Sequence, residues 1–326
     1  MSTIPETQKP NDTPPSSNQQ TLMQMINGYW NSQMICVAAK LGIADLVADG
    51  PKSSAELART TGTHAPTLYR LLRALASLGV FVEDDQGRFG LTPLAEPLRT
   101  GVPDSLHDWV VFAAGVEAWR SWEQLSYSVT TGEAAFEHVW GMPNWDYRAQ
   151  KPEANAIFNA AMISVSSRRI GPVMGAYDFS GIRTLVDVGG GHGAFIAAIL
   201  SAYPMMRGIL FDLPHVIAGA ELVLQAAGIA GRCETIGGSF LEAAPGGGDA
   251  YLLSKVIHDW GDDLAAVILR NCRQVMTVHS RLLLVEAVIP PGNTPHPGKL
   301  ADINMLIANS GGRERTEAEF RALFHA

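Results

Sequence analysis

The chain has 326 residues, of which 47% are hydrophobic and 17% are charged. This length suffices for about two globular domains, and the composition excludes collagen-like and largely disordered proteins. The formal net charge is −8 at pH 7, which disfavours a protein that binds the phosphate backbone of nucleic acids. The sequence therefore predicts a globular protein without a nucleic-acid partner.

The cysteines and the N-terminal residues indicate where such a protein works. Cys36, Cys233 and Cys272 form no Cys-x-x-Cys pair, which is typical of a reduced protein without a thiolate metal site. Residues 1–20 are polar and too poor in apolar side chains to offset the entropy of ordering, so we predict a disordered tail. This tail lacks the apolar run of a signal peptide, and no later stretch offers about 18 uninterrupted apolar residues. We therefore expect a cytoplasmic protein that does not associate with membranes.

Residues 21–100 follow the order helix, helix, hairpin that is typical of a winged helix. Ser53 is placed to cap a short helix, and Pro66 opens the segment TLYRLLRALASLGV, whose leucines recur at helical spacing. The segment VFVEDDQGRFGLT then predicts two short strands joined by a turn. Acidic residues in that turn would repel phosphate, which disfavours a DNA-binding regulator. The winged helix is better interpreted as an interaction platform.

The helices between Leu22 and Leu46 are more apolar than one small winged helix can cover. Together with the low charge fraction, this predicts a homodimer that forms through the N-terminal half.

The rest of the chain changes character near residue 178. Residues 101–177 look helical and rich in tryptophan, which predicts a helical connector that contributes to a substrate pocket. In residues 178–326, the apolar runs TLVDVGG, RGILFDLP, DAYLLSKVI and SRLLLVEAVI alternate with helical stretches. This alternation predicts an α/β domain with a parallel sheet covered by helices on both faces.

The run LVDVGGGHG is a strand that ends in glycines and is followed by a helix. Glycines let the backbone pass close to a ligand without clashes from Cβ atoms. Gly189, Gly191 and Ala194 also satisfy the dinucleotide fingerprint, so the glycine spacing leaves two cofactor classes open. Asp187 and Gly193 favour S-adenosylmethionine (SAM). A carboxylate suits the positively charged amino-acid end of SAM better than it suits the negatively charged pyrophosphate of a dinucleotide.

Two later strands also end in polar residues. Asp212 ends the segment GILFDLP, where an acid suits hydrogen bonds to both ribose hydroxyls of NAD or of SAM. His258 follows the strand of LLSKVIHDW, at the sheet edge where open α/β proteins bind ligands. Glu286 ends the strand LLLVE, and Glu314 follows a Gly-Gly-Arg turn. Carboxylates that converge on an imidazole would hold its tautomer and raise its basicity, which predicts a general base.

The motifs LVDVGGGHG, FDLPHVI, LLSKVIHDW, LLLVEAVIP and GGRERTEAEF together resemble the SAM-dependent O-methyltransferases of plant phenolic and bacterial polyketide and aromatic tailoring pathways. The resemblance runs from about Met25 to the end of the chain. It implies a Rossmann-like SAM-binding methyltransferase domain, preceded by a winged-helix dimerisation domain, and a hydroxylated aromatic small molecule as substrate. No metal is required, because the sulfonium of SAM already activates its methyl group.

The resemblance also assigns roles to single residues. It implies that His258 is the general base, that Glu286 and Glu314 flank it, and that Asp259 lies near the reacting hydroxyl. The implied donor-binding residues are Gly189, Gly191, Asp212 and Ser166, the last one helping to hold the donor's carboxylate, and Asp187 joins them from the charge argument above. The implied substrate-pocket residues are Phe158, Met162, Met305 and Asn309.

The chain departs from the family at two places in the donor site. Gly238-Ser239-Phe240 stands where the family often has Gly-Asp-Met or Gly-Asp-Phe, with the aspartate near adenine. Ser254 stands where plant members have a lysine that contacts the donor, and Lys255 is displaced by one position. We expect Ser239, Phe240 and Ser254 in the donor site, and a serine hydroxyl makes a weaker contact there than a carboxylate.

Three other functions stay open at this point. An N-methyltransferase or an inactive member of the same fold would share the donor motifs. An NAD(P)-dependent oxidoreductase would share the glycines and Asp212 but would not need His258, Glu286 and Glu314.

In the family, the helix of RTEAEFRALFHA leads into two more strands that close the sheet edge as a hairpin. We expect either that the parent protein has such a tail or that a neighbouring subunit covers the edge.

Overall fold

The computed structural model describes residues 17–326, which form two compact units, one up to Glu96 and one from Pro97 to Ala326. The first unit contains helices α1 (Ser17–Ile26), α2 (Gly28–Lys40), α3 (Ile43–Leu46), α4 (Ser54–Thr61) and α5 (Ala65–Ser77), and strands β1 (Lys52–Ser53), β2 (Phe81–Glu83) and β3 (Arg88–Leu91). The strands pair antiparallel in the order β1-β3-β2. This is the expected winged helix, preceded by two further helices and a short third.

Local sequence rules explain the boundaries of these elements. The Ser53 hydroxyl accepts a hydrogen bond from the Glu56 amide while the Glu56 carboxylate accepts one from the Ser53 amide, which is a capping box at the start of α4. Pro66 lies in the first turn of α5, whose buried face includes Leu68 and Leu72. In the turn between β2 and β3, the Asp84 carboxylate accepts hydrogen bonds from two backbone amides. The acidic turn therefore stabilises the hairpin.

The prediction of a disordered tail over residues 1–20 was wrong for its last four residues, because α1 begins at Ser17. Residues 1–16 lie outside the described residues. Gln19 and Gln20 are good helix formers, and they extend the helix that contains Leu22 and Met25 towards its N-terminus.

The second unit begins with helices that lie before its sheet. These are α6 (His107–Ala113), α7 (Val116–Glu123), α8 (Leu125–Thr131), α9 (Ala135–Trp140), α10 (Asn144–Gln150) and α11 (Pro152–Ala176). The sheet follows with β4 (Thr184–Val188), β5 (Arg207–Asp212), β6 (Cys233–Gly237), β7 (Ala250–Ser254) and β8 (Arg281–Val285). Its other helices are α12 (Ala194–Ala202), α13 (Pro214–Ile217), α14 (Ala220–Ala226), α15 (Asp262–Val275), α16 (Pro297–Ala308) and α17 (Glu317–His325).

All neighbouring strands of this sheet are parallel, in the order β6-β5-β4-β7-β8. Alternate residues of β4 face opposite sides: Leu185 packs in one hydrophobic cluster, and Val186 and Val188 pack in the other. The strand order reverses between β4 and β7, which opens a crevice at the carboxyl ends of these two strands. The expected α/β Rossmann-like fold is confirmed. The edge strands are β6 and β8, and the hairpin that would close the edge at β8 stays a prediction.

Within residues 17–326, no helix combines the length and the hydropathy that crossing a bilayer requires.

Candidate active site

The glycine-rich turn after β4 lies at the strand-order reversal. Gly189 and Gly191 have positive φ angles of 72° and 59°, which residues with a Cβ rarely adopt. A Cβ on Gly189 would lie 2.8 Å from Val256 Cγ2, so this position also requires glycine for space. A Cβ on Gly191 would meet nothing within 4 Å. The backbone at Gly191 therefore borders open space where a ligand can approach it.

Asp212 at the end of β5 is bound to this turn. Its Oδ2 accepts a hydrogen bond from the Gly191 amide at 2.8 Å, and its Oδ1 accepts one from the Leu213 amide at 2.7 Å. Burial raises the pKa of Asp212, although these two backbone hydrogen bonds act in the opposite direction. Each oxygen keeps lone-pair capacity for a further donor, such as a sugar hydroxyl.

Asp187 lies beneath the same turn and is 1% exposed. Neither of its carboxylate oxygens has a hydrogen-bond partner among the described residues. Burial, with a smaller contribution from the charge of Asp212, raises the pKa of Asp187 to about 7. A buried carboxylate without a partner is costly. An ammonium group bound at the turn would offset this cost.

The other expected donor-site residues differ in how they are used. Ser166 on α11 accepts a hydrogen bond from Arg169 Nη2 at 2.9 Å. The Ser239 hydroxyl accepts one from the Leu241 amide at 3.3 Å and so stabilises its own turn. Phe240 packs edge-on against Trp260 with ring centroids 5.8 Å apart. The Ser254 hydroxyl, at the end of β7, is buried with no partner among the described residues.

His258 lies in a short turn, Ile257–Asp259, that follows β7. Its Nδ1 is 3.0 Å from Glu314 Oε1, and its Nε2 is 3.7 Å from Asp259 Oδ1. The Glu314 side chain is only 1% exposed, against 13% for the imidazole. Burial lowers the pKa of His258, but the charges of Asp259 and Glu286 and the Glu314 hydrogen bond outweigh it, so this pKa lies above its usual value.

Glu286, at the end of β8, acts on this turn through the backbone. Its Oε1 accepts hydrogen bonds from the amides of Val256 and Ile257, at 3.0 and 2.9 Å. Its Oε2 is buried without a hydrogen-bond partner among the described residues. Burial raises the pKa of Glu286. Glu286 therefore supports the turn and contributes charge, whereas Glu314 makes the hydrogen bond to the imidazole.

Lys255 joins this group from the end of β7. Its Nζ lies 2.9 Å from Glu314 Oε1 and 3.9 Å from Glu286 Oε2. Ligand atoms of His258, Glu286 and Glu314 lie within 4.8 Å of one another, a spacing that a metal ion could bridge. The ammonium group of Lys255 already contributes a positive charge to the two carboxylates. An ion bound there would lie next to this ammonium group, and the two positive charges would repel one another.

Sequence reasoning missed Arg315, which fixes the loop that carries His258. This side chain is fully buried, and it donates to the carbonyl oxygens of Ile257 and Trp260, at 3.0 and 2.8 Å. Its Nε and Nη2 also bind Asp262 Oδ1, at 2.9 and 2.7 Å. We call these hydrogen bonds of Arg315 the clamp. Arg315 follows Glu314 directly in the sequence, but the spacing of residues in GGRERTEAEF does not indicate the direction of its side chain.

The expected substrate-pocket residues fall into a polar and an aromatic group. Asn309, after α16, donates to Asp259 Oδ1 at 2.7 Å and accepts from Asn144 Nδ2 at 3.0 Å. Asn144, at the start of α10, was also missed, because no local pattern pairs residues so far apart in the chain. The result is a buried chain of hydrogen bonds from α10 to the residue beside His258.

The aromatic group centres on Phe158 of α11. Its ring packs edge-on against Phe112 and Trp145, each at 5.6 Å between centroids, and the Arg148 guanidinium lies over it at 4.2 Å. Burial lowers the pKa of Arg148 to about 10. Met162 and Met305 are partly buried on α11 and α16. These residues supply apolar surface and one buried cation.

Comparison with protein families decides what this geometry belongs to. The model of the O-methyltransferase domain matches residues 122–326, and the model of the O-methyltransferase dimerisation domain matches residues 23–101. The chain belongs to the O-methyltransferase family. The enzyme is a SAM-dependent O-methyltransferase, as the sequence motifs predicted.

The relatives and solved structures that match align with nearly the whole chain. The phenazine O-methyltransferase PhzM of Lysobacter antibioticus is 48% identical over 305 residues, which cover 94% of this chain and 89% of the relative. The structure of the mitomycin 7-O-methyltransferase MmcR superposes with a TM-score of 0.88 at 40% identity, covering 95% of this chain and 91% of that one. The O-methyltransferase NcsB1, crystallised with SAM and 2-hydroxy-5-methyl naphthoic acid, has a TM-score of 0.78 at 33% identity, covering 90% and 88%.

The residues of this enzyme fit SAM as its cofactor. The space beside Gly191 is open, and the buried carboxylate of Asp187 has no partner among the described residues. Asp212 keeps free acceptor capacity at the end of the next strand. These features match a cationic amino-acid end and a ribose.

Proposed function

We propose that this enzyme methylates a hydroxyl group of an aromatic or polyketide-type small molecule, with His258 as the general base. The observation that carries the proposal is the buried Glu314 carboxylate 3.0 Å from His258 Nδ1, on a turn at the carboxyl end of β7. A carboxylate at Nδ1 fixes the tautomer that has its lone pair on Nε2. That nitrogen is then free to accept a proton.

The residues around His258 account for the proton transfer. A phenol has a pKa of ~10, so little of it is deprotonated at neutral pH. His258 takes the proton of the acceptor hydroxyl, and Glu314 stabilises the resulting imidazolium. Bound SAM supplies an activated methyl group. General-base assistance of this kind is typically worth ~10²–10⁴-fold in rate.

The hydrogen-bonded chain of Asn144, Asn309 and Asp259 acts on the molecule that receives the methyl group. Asp259 is held by Asn309, and Asn309 is held in turn by Asn144. Burial raises the pKa of Asp259 to about 6, so its carboxylate is ionised for the most part at neutral pH and accepts a hydrogen bond from an acceptor hydroxyl. Phe158, Met162 and Met305 offer the apolar surface that suits a flat ring.

In this proposal, the donor is held by residues at the ends of four strands, β4, β5, β6 and β7, and by residues of α11. Asp187 faces the ammonium group of SAM, Gly189 and Gly191 pass beneath its methionine part, and Asp212 binds its ribose. Ser166, with Arg169 beside it, binds the carboxylate. The adenine end is assigned to Ser239, Phe240 and Ser254.

The donor assignment predicts a specific loss of affinity. Replacing Asp212 by alanine should weaken binding of SAM and of S-adenosylhomocysteine by roughly 2–3 kcal/mol, because charge-assisted hydrogen bonds to the ribose are lost. Isothermal titration calorimetry measures this loss. Asp249→Ala is the matched control, since Asp249 also accepts from two backbone amides, those of Arg183 and Thr184, but at the amino end of β4. Equal losses in both variants, or tight NADH binding by a protein that ignores SAM, would refute the assignment.

The acceptor class is tested with a panel of phenols, naphthols, phenazines and polyketides, incubated with SAM that carries a labelled methyl group. Mass spectrometry should find the label on oxygen. A 34% identical relative from Streptomyces davaonensis is named 8-amino-8-demethylriboflavin N,N-dimethyltransferase, so aryl amines belong in the panel. Label found on nitrogen alone would overturn the assignment of a hydroxyl acceptor.

We also propose that two copies of this chain associate through the N-terminal unit. The helices α1 and α2 expose large apolar side chains, among them Met25 at 72% and Trp30 at 52%. Apolar surface of this extent on neighbouring turns is typical of an interface. The dimerisation-domain model spans these helices.

Light scattering should therefore give a particle of about twice the chain mass of 35.0 kDa. Trp30→Glu should shift the equilibrium towards the single chain, because it places a charge on the apolar surface. Met205→Glu is the control, since Met205 is an exposed apolar residue of the other unit. A wild-type particle of 35.0 kDa at micromolar concentration contradicts the dimer.

A further inference from the structure

Lys255 makes a contact that the general-base mechanism leaves unexplained. Its Nζ is 2.9 Å from Glu314 Oε1, the same oxygen atom that lies 3.0 Å from His258 Nδ1. The same ammonium group is 3.9 Å from Glu286 Oε2. One lysine thus contacts both glutamates that act on His258.

The backbone holds Lys255 in an unusual conformation. Its φ angle is +58°, in the left-handed region that residues other than glycine, asparagine and aspartate rarely adopt. Its amide donates to Val285 O at 3.0 Å, which ties it to the end of β8. Such backbone strain persists where the surrounding contacts over-determine it, and it clusters at functional sites. Here the contacts of Lys255 are its amide hydrogen bond to Val285 and its ion pairs with the two glutamates.

The charge balance around His258 shows what this lysine contributes. Glu286 and Glu314 are 2% and 1% exposed, and two buried carboxylates so close together repel one another. Lys255 contacts both of them with its positive charge. Other charged groups also surround His258 and the two glutamates. Asp259 lies beside the imidazole, and Asp302 on α16 accepts a hydrogen bond from the Glu314 amide. The remaining ones are Arg148 on α10, whose charge acts on Asp259, Arg169 on α11, whose charge acts on Glu286, and the ion pair of Arg315 and Asp262.

We propose that Lys255 is a positioning residue that shares the Glu314 carboxylate with His258 and balances the charge of the buried Glu286–Glu314 pair. The proposal rests on the proposed function, in which His258 is the base. The lysine lets two glutamates stay ionised beside the imidazole without over-stabilising its protonated form. It thereby keeps His258 oriented by Glu314 and yet free of its proton in a larger fraction of enzyme molecules at neutral pH.

The sign of the effect follows from the charges. Asp259, Glu314 and Glu286 raise the pKa of His258, and Lys255 lowers it. Removing the ammonium group should therefore raise the pKa of His258 further. The acid limb of the kcat profile should move to higher pH by the same amount.

The test compares Lys255→Met with Lys255→Arg in the full-length enzyme. The pKa of His258 is followed by NMR with ¹³C-labelled histidine, and its signal is assigned by its loss in His258→Asn. In Lys255→Met we expect a rise of about one pKa unit, because a positive charge that shares Glu314 Oε1 with the imidazole is lost. In Lys255→Arg, which keeps the charge, and in Lys151→Met, which removes an exposed one, the pKa should stay at the wild-type value.

An unchanged or lowered His258 pKa in Lys255→Met would overturn the proposal, and so would an equal rise in Lys255→Arg. Circular dichroism before the titration shows whether each variant is folded. If Lys255→Met does not fold, Lys255→Gln replaces it in the same titration. The NMR readout does not depend on turnover. A shifted His258 pKa in an enzyme whose His258→Ala variant keeps full activity would therefore refute the general-base function and leave the role of Lys255 intact.

Discussion

Replacement of His258 by alanine is expected to lower kcat by at least ~10²-fold and to leave the Kd for S-adenosylhomocysteine nearly unchanged. The expected loss in kcat arises because the variant lacks the imidazole that takes the acceptor's proton, and Lys255, which also binds Glu314 Oε1, is a cation. The donor affinity should persist because most of the residues assigned to SAM lie on other strand ends, and the one at the end of β7, Ser254, does not touch the imidazole in any hydrogen bond among the described residues. Steady-state kinetics on a hydroxyl acceptor and calorimetry with S-adenosylhomocysteine measure the two quantities.

The pH profile of the wild-type enzyme gives an independent check. A general base works only when it is unprotonated, so activity falls as pH drops through its pKa. Burial lowers the pKa of His258, but Asp259, Glu314 and Glu286 together raise it above the usual value. The acid limb of kcat should therefore lie at higher pH than an ordinary histidine would give, and it should vanish in His258→Ala.

His279→Ala is the matched control, because His279 is exposed in the loop between α15 and β8. It should retain wild-type kcat. A His258→Ala variant that keeps near-wild-type turnover at neutral pH would show that His258 has a structural role and that another group accepts the proton.

The parts of the site that were predictable from sequence depend on short-range rules. Strand β4 is followed by a turn in which Gly189 and Gly191 adopt the positive φ angles that glycine allows. The next strand of a parallel sheet ends beside this turn. This places Asp212 against Gly191, as its hydrogen bond to the Gly191 amide shows. The capping box at Ser53 and the turn at Asp84 are equally local, and so the winged helix was predictable as well.

The parts that were missed depend on contacts between distant residues. Asn144 meets Asn309 across 165 positions of the chain, and Lys255 meets Glu314 across 59. A lone asparagine or lysine carries no spacing signal, and which side chain it meets is decided by how the helices pack on the sheet. Lys255 differs in that its displacement from the family position was visible in the sequence. Its partners were not.

The same distinction applies to the two glutamates that flank His258. Their positions in the sequence, after a strand and after a Gly-Gly-Arg turn, are equivalent as signals for a nearby acid. In the structure, Glu314 binds the imidazole directly, whereas Glu286 binds the amides of Val256 and Ile257. Glu314→Gln should thus act mainly on the base, and Glu286→Gln mainly on the turn that carries it.

Arg315→Met is expected to destabilise the enzyme by about 3 kcal/mol, which corresponds to a decrease in Tm of roughly 6–12 °C. Arg315 is fully buried, and its loss removes the side-chain hydrogen bonds to the carbonyl oxygens of Ile257 and Trp260 and to Asp262, although Ile257 O keeps the weaker bond from the Trp260 amide. Methionine fills a similar volume, so the loss reflects the hydrogen bonds more than a cavity. Differential scanning fluorimetry measures the change in Tm.

The Arg315→Met variant should also lose turnover, because the turn Ile257–Asp259 carries His258 and is held by this clamp. Arg321→Met is the matched control: Arg321 pairs with Glu317 on α17, but both side chains are more than 70% exposed, and such pairs contribute ~0.5 kcal/mol or less. If Arg315→Met and Arg321→Met lower Tm equally little, the buried arginine does not fix the loop. A Tm that falls without loss of kcat would show that the clamp stabilises the fold and that His258 is positioned by Glu314 and Glu286 alone.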